Sequence, residues 1–316
     1  MDPVLNELSV APAEWSIHER VRTLAATLKE LDGIGLARVL RHTRNSLDQV
    51  VEGSTTMREA LVRHPSRDER LFLLGRISRA PFVEDLHRTY EDSAQNLIEG
   101  TVAGVRCHGA VFAYLTRGPL VSLRGNEAFE LGALPIRLAR VREEPDAPLE
   151  TEDVDVLQVA MPAHVAQNEK ELRERVLRAV KSGREAWERR MELFPRLDFG
   201  AGVERQLAEM NGSELGFNLV IDALARLDAA LRAWQGGPLD PGMKFSPESS
   251  STLSHSVYGP QRDFHCVDGI TRRFTLHLKL VAGNRRIYYL EHRVGAEGRA
   301  HVGYVGPHLP TTKYAT

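Results

Sequence analysis

Six of the chain's twelve histidines, His255, His265, His277, His292, His301 and His308, fall inside its last quarter. Residues 241–316 also hold ten Lys and Arg against five Asp and Glu, a formal +5, whereas the whole 316-residue chain stands at −2. The first 240 residues are therefore acidic, at −7. A basic segment whose histidines titrate near neutrality points to a polyanionic partner, with nucleic acid the first candidate.

The elements that position these groups read as strands. In RRFTLHLKL, residues 272–280, Phe274, Leu276, Leu278 and Leu280 alternate with Arg273, Thr275, His277 and Lys279, so one face is core and the other a basic row. RRIYYLEHR (285–293) and RAHVGYVG (299–306) follow across Gly-containing turns, which predicts a three-stranded antiparallel meander. Period two then places His277 and Lys279 beside either Arg286 and Tyr288 or Arg285 and Tyr289. Gly303, Gly306 and Pro307 predict a turn that holds His308 at the sheet end, with Lys313 and Tyr314 just beyond. The loop KFSPESSSTLSH offers Glu248, Ser249 or Thr252 as polar partners of the sheet.

Cleavage of RNA by its own 2′-hydroxyl needs a base, cations around the phosphorane and an acid for the leaving 5′ oxygen, all of which His, Lys, Arg and Tyr supply without a metal. The expected roles are His277 and His308 as base or acid, Lys279, Arg285 and Arg286 as phosphate stabilisers, and Tyr288 or Tyr314 as a further donor. Arg273, His301 and Lys313 are expected to bind RNA, and no cofactor is called for. A metal site is not expected from spacing. The basic region has no Cys-x-x-Cys, no His-x-x-x-His and no acidic cluster for Mg²⁺. Neither a G-x-S-x-G nor a Walker A or G-x-G-x-x-G sequence occurs, which argues against serine-hydrolase and nucleotide chemistry. The competing expectation is a non-catalytic adaptor that grips nucleic acid through the same basic sheet.

The order helix, helix, basic meander, with its H-L-K, R-R-I-Y-Y and V-G-Y-V-G strands, resembles the RelE/ParE-type toxin fold over residues from about 202 to 316. Some members of that family are mRNA interferases. The resemblance implies metal-free RNA cleavage by sheet residues, here Lys279, Arg285 or Arg286, and Tyr314. This chain departs from the pattern by a Ser/Pro-rich segment of 26 residues between helices and sheet, and by about 200 preceding residues. The added length suits a larger effector, acting in phage defence or under toxin-antitoxin control, with a regulatory protein held by the acidic N-terminal region.

The remaining sequence reads as α+β. Residues from about 14 to 99 show helical spacing (Ile17, Val21, Leu24, Leu28, Leu31), with a helix start expected at Ser54. The segments TVAGVRCHGAVFAYL, PLVSL, PIRLARVR and DVDVLQVAM predict a four-stranded antiparallel sheet. One long helix is expected over residues 167–194, then two more at about 202–211 and 213–234. Three domains follow: 1–166, helical with a sheet; 167–236, a helical connector; and 237–316, the basic sheet. Two distant cysteines, Cys107 and Cys266, and no apolar run of about 20 residues favour a cytoplasmic protein with no membrane contact.

Overall fold

A computed structural model describes residues 1–36, 38–85, 96–142, 150–212, 215–280 and 284–312. It has the α+β character expected. The chain divides into two compact units, Met1–Val176 and Leu177–Thr316, so the helical stretch read as a connector is split between them. Among the described residues no helix is long and apolar enough to cross a membrane.

The first unit carries helices α1 (Ile17–Gly33), α2 (Met57–Val62) and α3 (Arg67–Ile77). Thr56, not Ser54, starts α2: its hydroxyl and the Glu59 side chain form a reciprocal capping box. The sheet differs from expectation. It has six strands in the order β1 (Val4–Leu5), β4 (Leu120–Val121), β6 (Glu150–Val159), β5 (Ala133–Arg142), β2 (Asn96–Val102) and β3 (Val105–Arg106). β1, β4 and β6 pair in parallel, so the sheet is mixed rather than antiparallel.

The second correction lies in TVAGVRCHGAVFAYL, which leaves the sheet after Val105–Arg106 and becomes α4 (His108–Thr116). The buried Glu7 carboxylate decides this locally by accepting from the amides of His108 and Gly109, which an N-terminal helical turn leaves without intrahelical partners.

The helix expected over 167–194 is also interrupted. α5 (Pro162–Gln167) precedes α6 (Glu169–Ala179), α7 (Gly183–Glu188) and α8 (Arg190–Leu193). Ser182 turns out of the helix and caps α7 by accepting from the Glu185 amide. Gly183 lets the backbone come close to its neighbour, since a Cβ there would lie 1.7 Å from the Leu207 carbonyl oxygen.

In the second unit a five-stranded sheet runs β8 (Phe245–Pro247), β11 (Leu276–Leu280), β12 (Arg285–Val294), β13 (Glu297–Pro307), β7 (Leu197–Phe199). The meander β11–β12–β13 is antiparallel, and β7 joins its far edge in parallel. The Ser/Pro-rich segment supplies edge strand β8, the short helix α11 (Ser250–Ser254) and, beyond it, the hairpin β9 (Asp263–His265) with β10 (Thr271–Arg273). Helix α9 (Val203–Ala208) packs on β13, and α10 (Leu215–Ala233) packs on β11 and β13 with Val220, Leu224, Leu227 and Leu231 buried.

The opposite sheet face is not an open basic row. Phe274 and Thr275 leave the strand, and Phe274 turns to the same side as Tyr288. There its ring joins Phe264, Tyr288 and Tyr304, with Phe264 stacked on Tyr304 at 5.8 Å between centroids. This aromatic cluster separates two polar groups at the ends of the face.

A candidate acid-base and phosphate site on the C-terminal sheet

The pairing of β11 with β12 sets the first polar group. His277 lies opposite Tyr288 and Lys279 opposite Arg286, which selects the first of the two registers that period two allows. β8 adds Ser246 beside His277, with 3.2 Å between its Oγ and His277 Nε2.

Glu248 follows that edge strand and is held by its amide, which donates to the Thr275 carbonyl at 2.7 Å. Its Oε1 accepts from Arg262 Nε and Nη2, both at 3.3 Å, and from the Tyr288 hydroxyl. His277 Nδ1 stands 3.6 Å from the same oxygen and has no hydrogen-bond partner among the described residues. Arg262 is wholly buried and also donates to the Tyr258 and Leu309 carbonyls, so it ties the returning C-terminal segment to the sheet. That segment carries His308, whose amide donates to the Asn284 carbonyl at 2.9 Å.

Burial is the main force on the histidines. It lowers His277 to a pKa of about 4, with Glu248 opposing the shift and Arg286, Lys279 and His308 adding to it. His308 is also lowered by burial, then by Arg286. Burial and the bond to Glu248 push the Tyr288 phenol upward. Tyr288 therefore spends its proton on Glu248, which corrects its expected role as a donor to substrate and makes it a positioning residue.

Charge is unevenly satisfied here. Arg262 is committed to Glu248, whereas Lys279 and Arg286 make no ion pair among the described residues. Lys279 is exposed, and the buried Arg286 Nε has no hydrogen-bond partner among the described residues. The group thus brings two histidines, His277 and His308, near two cations, Lys279 and Arg286.

The other expected residues are placed elsewhere. Arg285 lies against helix α10, where a Cβ on Gly216 would be 3.1 Å from its Nε. Arg273 donates from Nε and Nη2 to the two oxygens of Asp263, the latter contact at 2.7 Å, and its Nη1 donates to the Leu253 carbonyl. It is not available as a bare phosphate contact. His301 is 6% exposed and sits at the opposite end of the sheet face, away from the His277 group. Lys313 and Tyr314 lie outside the described residues. Arg262 was missed because an arginine in a loop gives no sign that it will be buried, while Glu248 was legible as a loop carboxylate beside the sheet.

At that opposite end Asp198, His292 and His301 form the one group of described His, Cys, Asp and Glu residues able to hold a metal ion. They come from three adjacent strands, which is why no local spacing motif marks them. Compared with known protein families, curated proteins and solved structures, the chain matches none.

Proposed function

We propose that the second unit is a metal-independent endoribonuclease acting by attack of a 2′-hydroxyl on the adjacent phosphate. The observation that carries this reading is the juxtaposition of His277 and nearby Glu248 with Lys279 and Arg286, cations without an ion pair among the described residues, on one sheet face. His277 is neutral at neutral pH, so it is in the state that accepts the 2′-hydroxyl proton, and Glu248 stabilises the imidazolium that forms. The O2′–P bond forms while Lys279 and Arg286 balance charge on the phosphorane.

The P–O5′ bond then breaks, and the departing oxygen takes a proton from His308. Burial and, after it, Arg286 disfavour the protonated His308, so the proton it donates is one it takes up from solvent with the phosphate bound. The products are a 2′,3′-cyclic phosphate and a 5′-hydroxyl. Such chemistry is what the RelE/ParE-type resemblance implies, and the two helices ahead of the meander are in keeping with it. An effector role in phage defence or toxin-antitoxin control, with a protein partner on the acidic first unit, belongs to the same proposal.

Incubating the full chain with labelled single-stranded RNA, with and without EDTA, tests it. Cyclic phosphate ends formed equally in both conditions support the reading. Salt-sensitive binding without cleavage would replace it with the adaptor reading.

A further inference from the structure

We infer that Asp198, His292 and His301 bind a divalent transition-metal ion of the zinc class, in a site separate from the proposed RNA-cleaving group. One donor atom from each residue lies within 4.8 Å of the others. Ligands about 2.0–2.3 Å from a shared ion are themselves roughly 3–4 Å apart, so small side-chain rotations close the set.

The strands bring these residues together by register. β13 pairs with β7 to set His301 beside Asp198, and with β12 to set Leu290 beside His301 and Arg299 beside His292. The two imidazoles stack at 4.2 Å between centroids, and His292 Nε2 is 3.4 Å from Asp198 Oδ2.

Independent observations point to a ligand. His301 is 94% buried, yet among the described residues its Nδ1 has no hydrogen-bond partner, and the buried Nδ1 of His292 has none either. Unsatisfied buried nitrogens are costly unless something occupies them. Both rings line a pocket of about 540 Å³ that opens beside them. Its lining carries the carboxylates Asp198, Asp268 and Glu297, each ion-paired with an arginine, so of these the one joined to both histidines is Asp198.

The donor chemistry selects the kind of ion. Two imidazoles and one carboxylate favour zinc, cobalt and similar borderline ions over Mg²⁺ or Ca²⁺, which prefer oxygen ligands. Arg299 grips Asp198 through two bonds, 2.6 Å to Oδ1 and 3.0 Å to Oδ2, and leaves each oxygen a further lone pair. It acts as the outer partner that orients a ligating carboxylate. Three protein ligands leave a coordination position facing the pocket, the arrangement of sites where the ion also meets a water or a small anionic molecule.

The experiment uses the full chain, stripped with chelator, dialysed and titrated with Co²⁺ while visible absorbance is recorded, then with Zn²⁺ by calorimetry. One ion per chain is expected at this site, with affinity falling at least tenfold in His292→Gln and in His301→Gln. Circular dichroism verifies that each variant is folded. His292 is only half-buried, so His292→Gln carries the test if the His301 variant does not fold. Absence of a visible Co²⁺ spectrum and of Zn²⁺ heat in the wild type would overturn the inference, as would unchanged affinity in a folded His292→Gln protein. Metal uptake is read without RNA, so this inference and the ribonuclease proposal fail separately.

Discussion

His277 Nδ1 and Glu248 Oε1 are 3.6 Å apart with both side chains buried, and burial favours the neutral imidazole. Its folded pKa of about 4 lies below the ordinary value of 6.5. The unfolded chain therefore takes up a proton first as the pH falls, and the stabilisation is complete above about pH 6.5 and lost down through about pH 4. Thermal unfolding of the wild type should weaken over that window, and His277→Gln should flatten this part of the profile. An unchanged slope in the variant would remove His277 as its source.

Lys279 and Arg286 are expected to act on bound phosphate rather than on the fold. Lys279→Ala and Arg286→Ala should each lower RNA cleavage by roughly 10²–10³-fold, the usual scale for an oriented charge-stabilising donor. Each should also reduce the slope of log affinity against log salt by about 0.7 for single-stranded RNA. Lys279→Ala should melt at the wild-type temperature because its side chain is exposed.

Tyr288→Phe removes one donor from the buried Glu248 carboxylate and leaves Arg262 as its remaining strong partner. A lost hydrogen bond to a charged group costs about 1.5–3 kcal/mol. Urea unfolding should record a loss of that size, whereas a neutral result would mean that Arg262 alone satisfies the carboxylate.

Gly183→Ala tests the break in the helical stretch. Its Cβ would meet the backbone of Leu207, which cannot move aside as a side-chain tip does. Overpacking of this kind costs about 1–3 kcal/mol or more. Denaturation should show that loss in the second unit, and a variant as stable as wild type would show that α7 and the Leu207 region separate easily.

Much of the sheet was legible in the sequence because its meander obeys period two, which places His277, Lys279 and Arg286 on one face; His308 was placed by an expected turn at Gly303, Gly306 and Pro307, where the strand in fact runs on to Pro307. Tertiary partners governed what was not legible. Residues 108–116 are apolar enough for either strand or helix, and Glu7, a hundred residues earlier, supplies the cap that decides for helix. The run 167–194 has an unbroken helical pattern, but Ser182 and Gly183 answer to the backbone near Leu207 and Met210. Arg273 reads as a free cation until the β9–β10 hairpin brings Asp263 to it. Asp198 gave no signal, since nothing in LDF announces that this strand will lie beside His301.

Tyr288 pairs with Tyr304 but Tyr289 pairs with Val302, so Gly303 stands as the extra residue of a bulge. In an unbroken ladder Gly303 would oppose Tyr289, and His301 would turn toward α10. Gly303 is thus where β13 changes phase, and the parity of the strand differs on its two sides. A Cβ at this position would also strike the Phe264 ring, 2.6 Å away. One residue without a side chain lets Tyr304 and His301, three positions apart, face the same way, and it gives the aromatic ring between the two polar groups its seat.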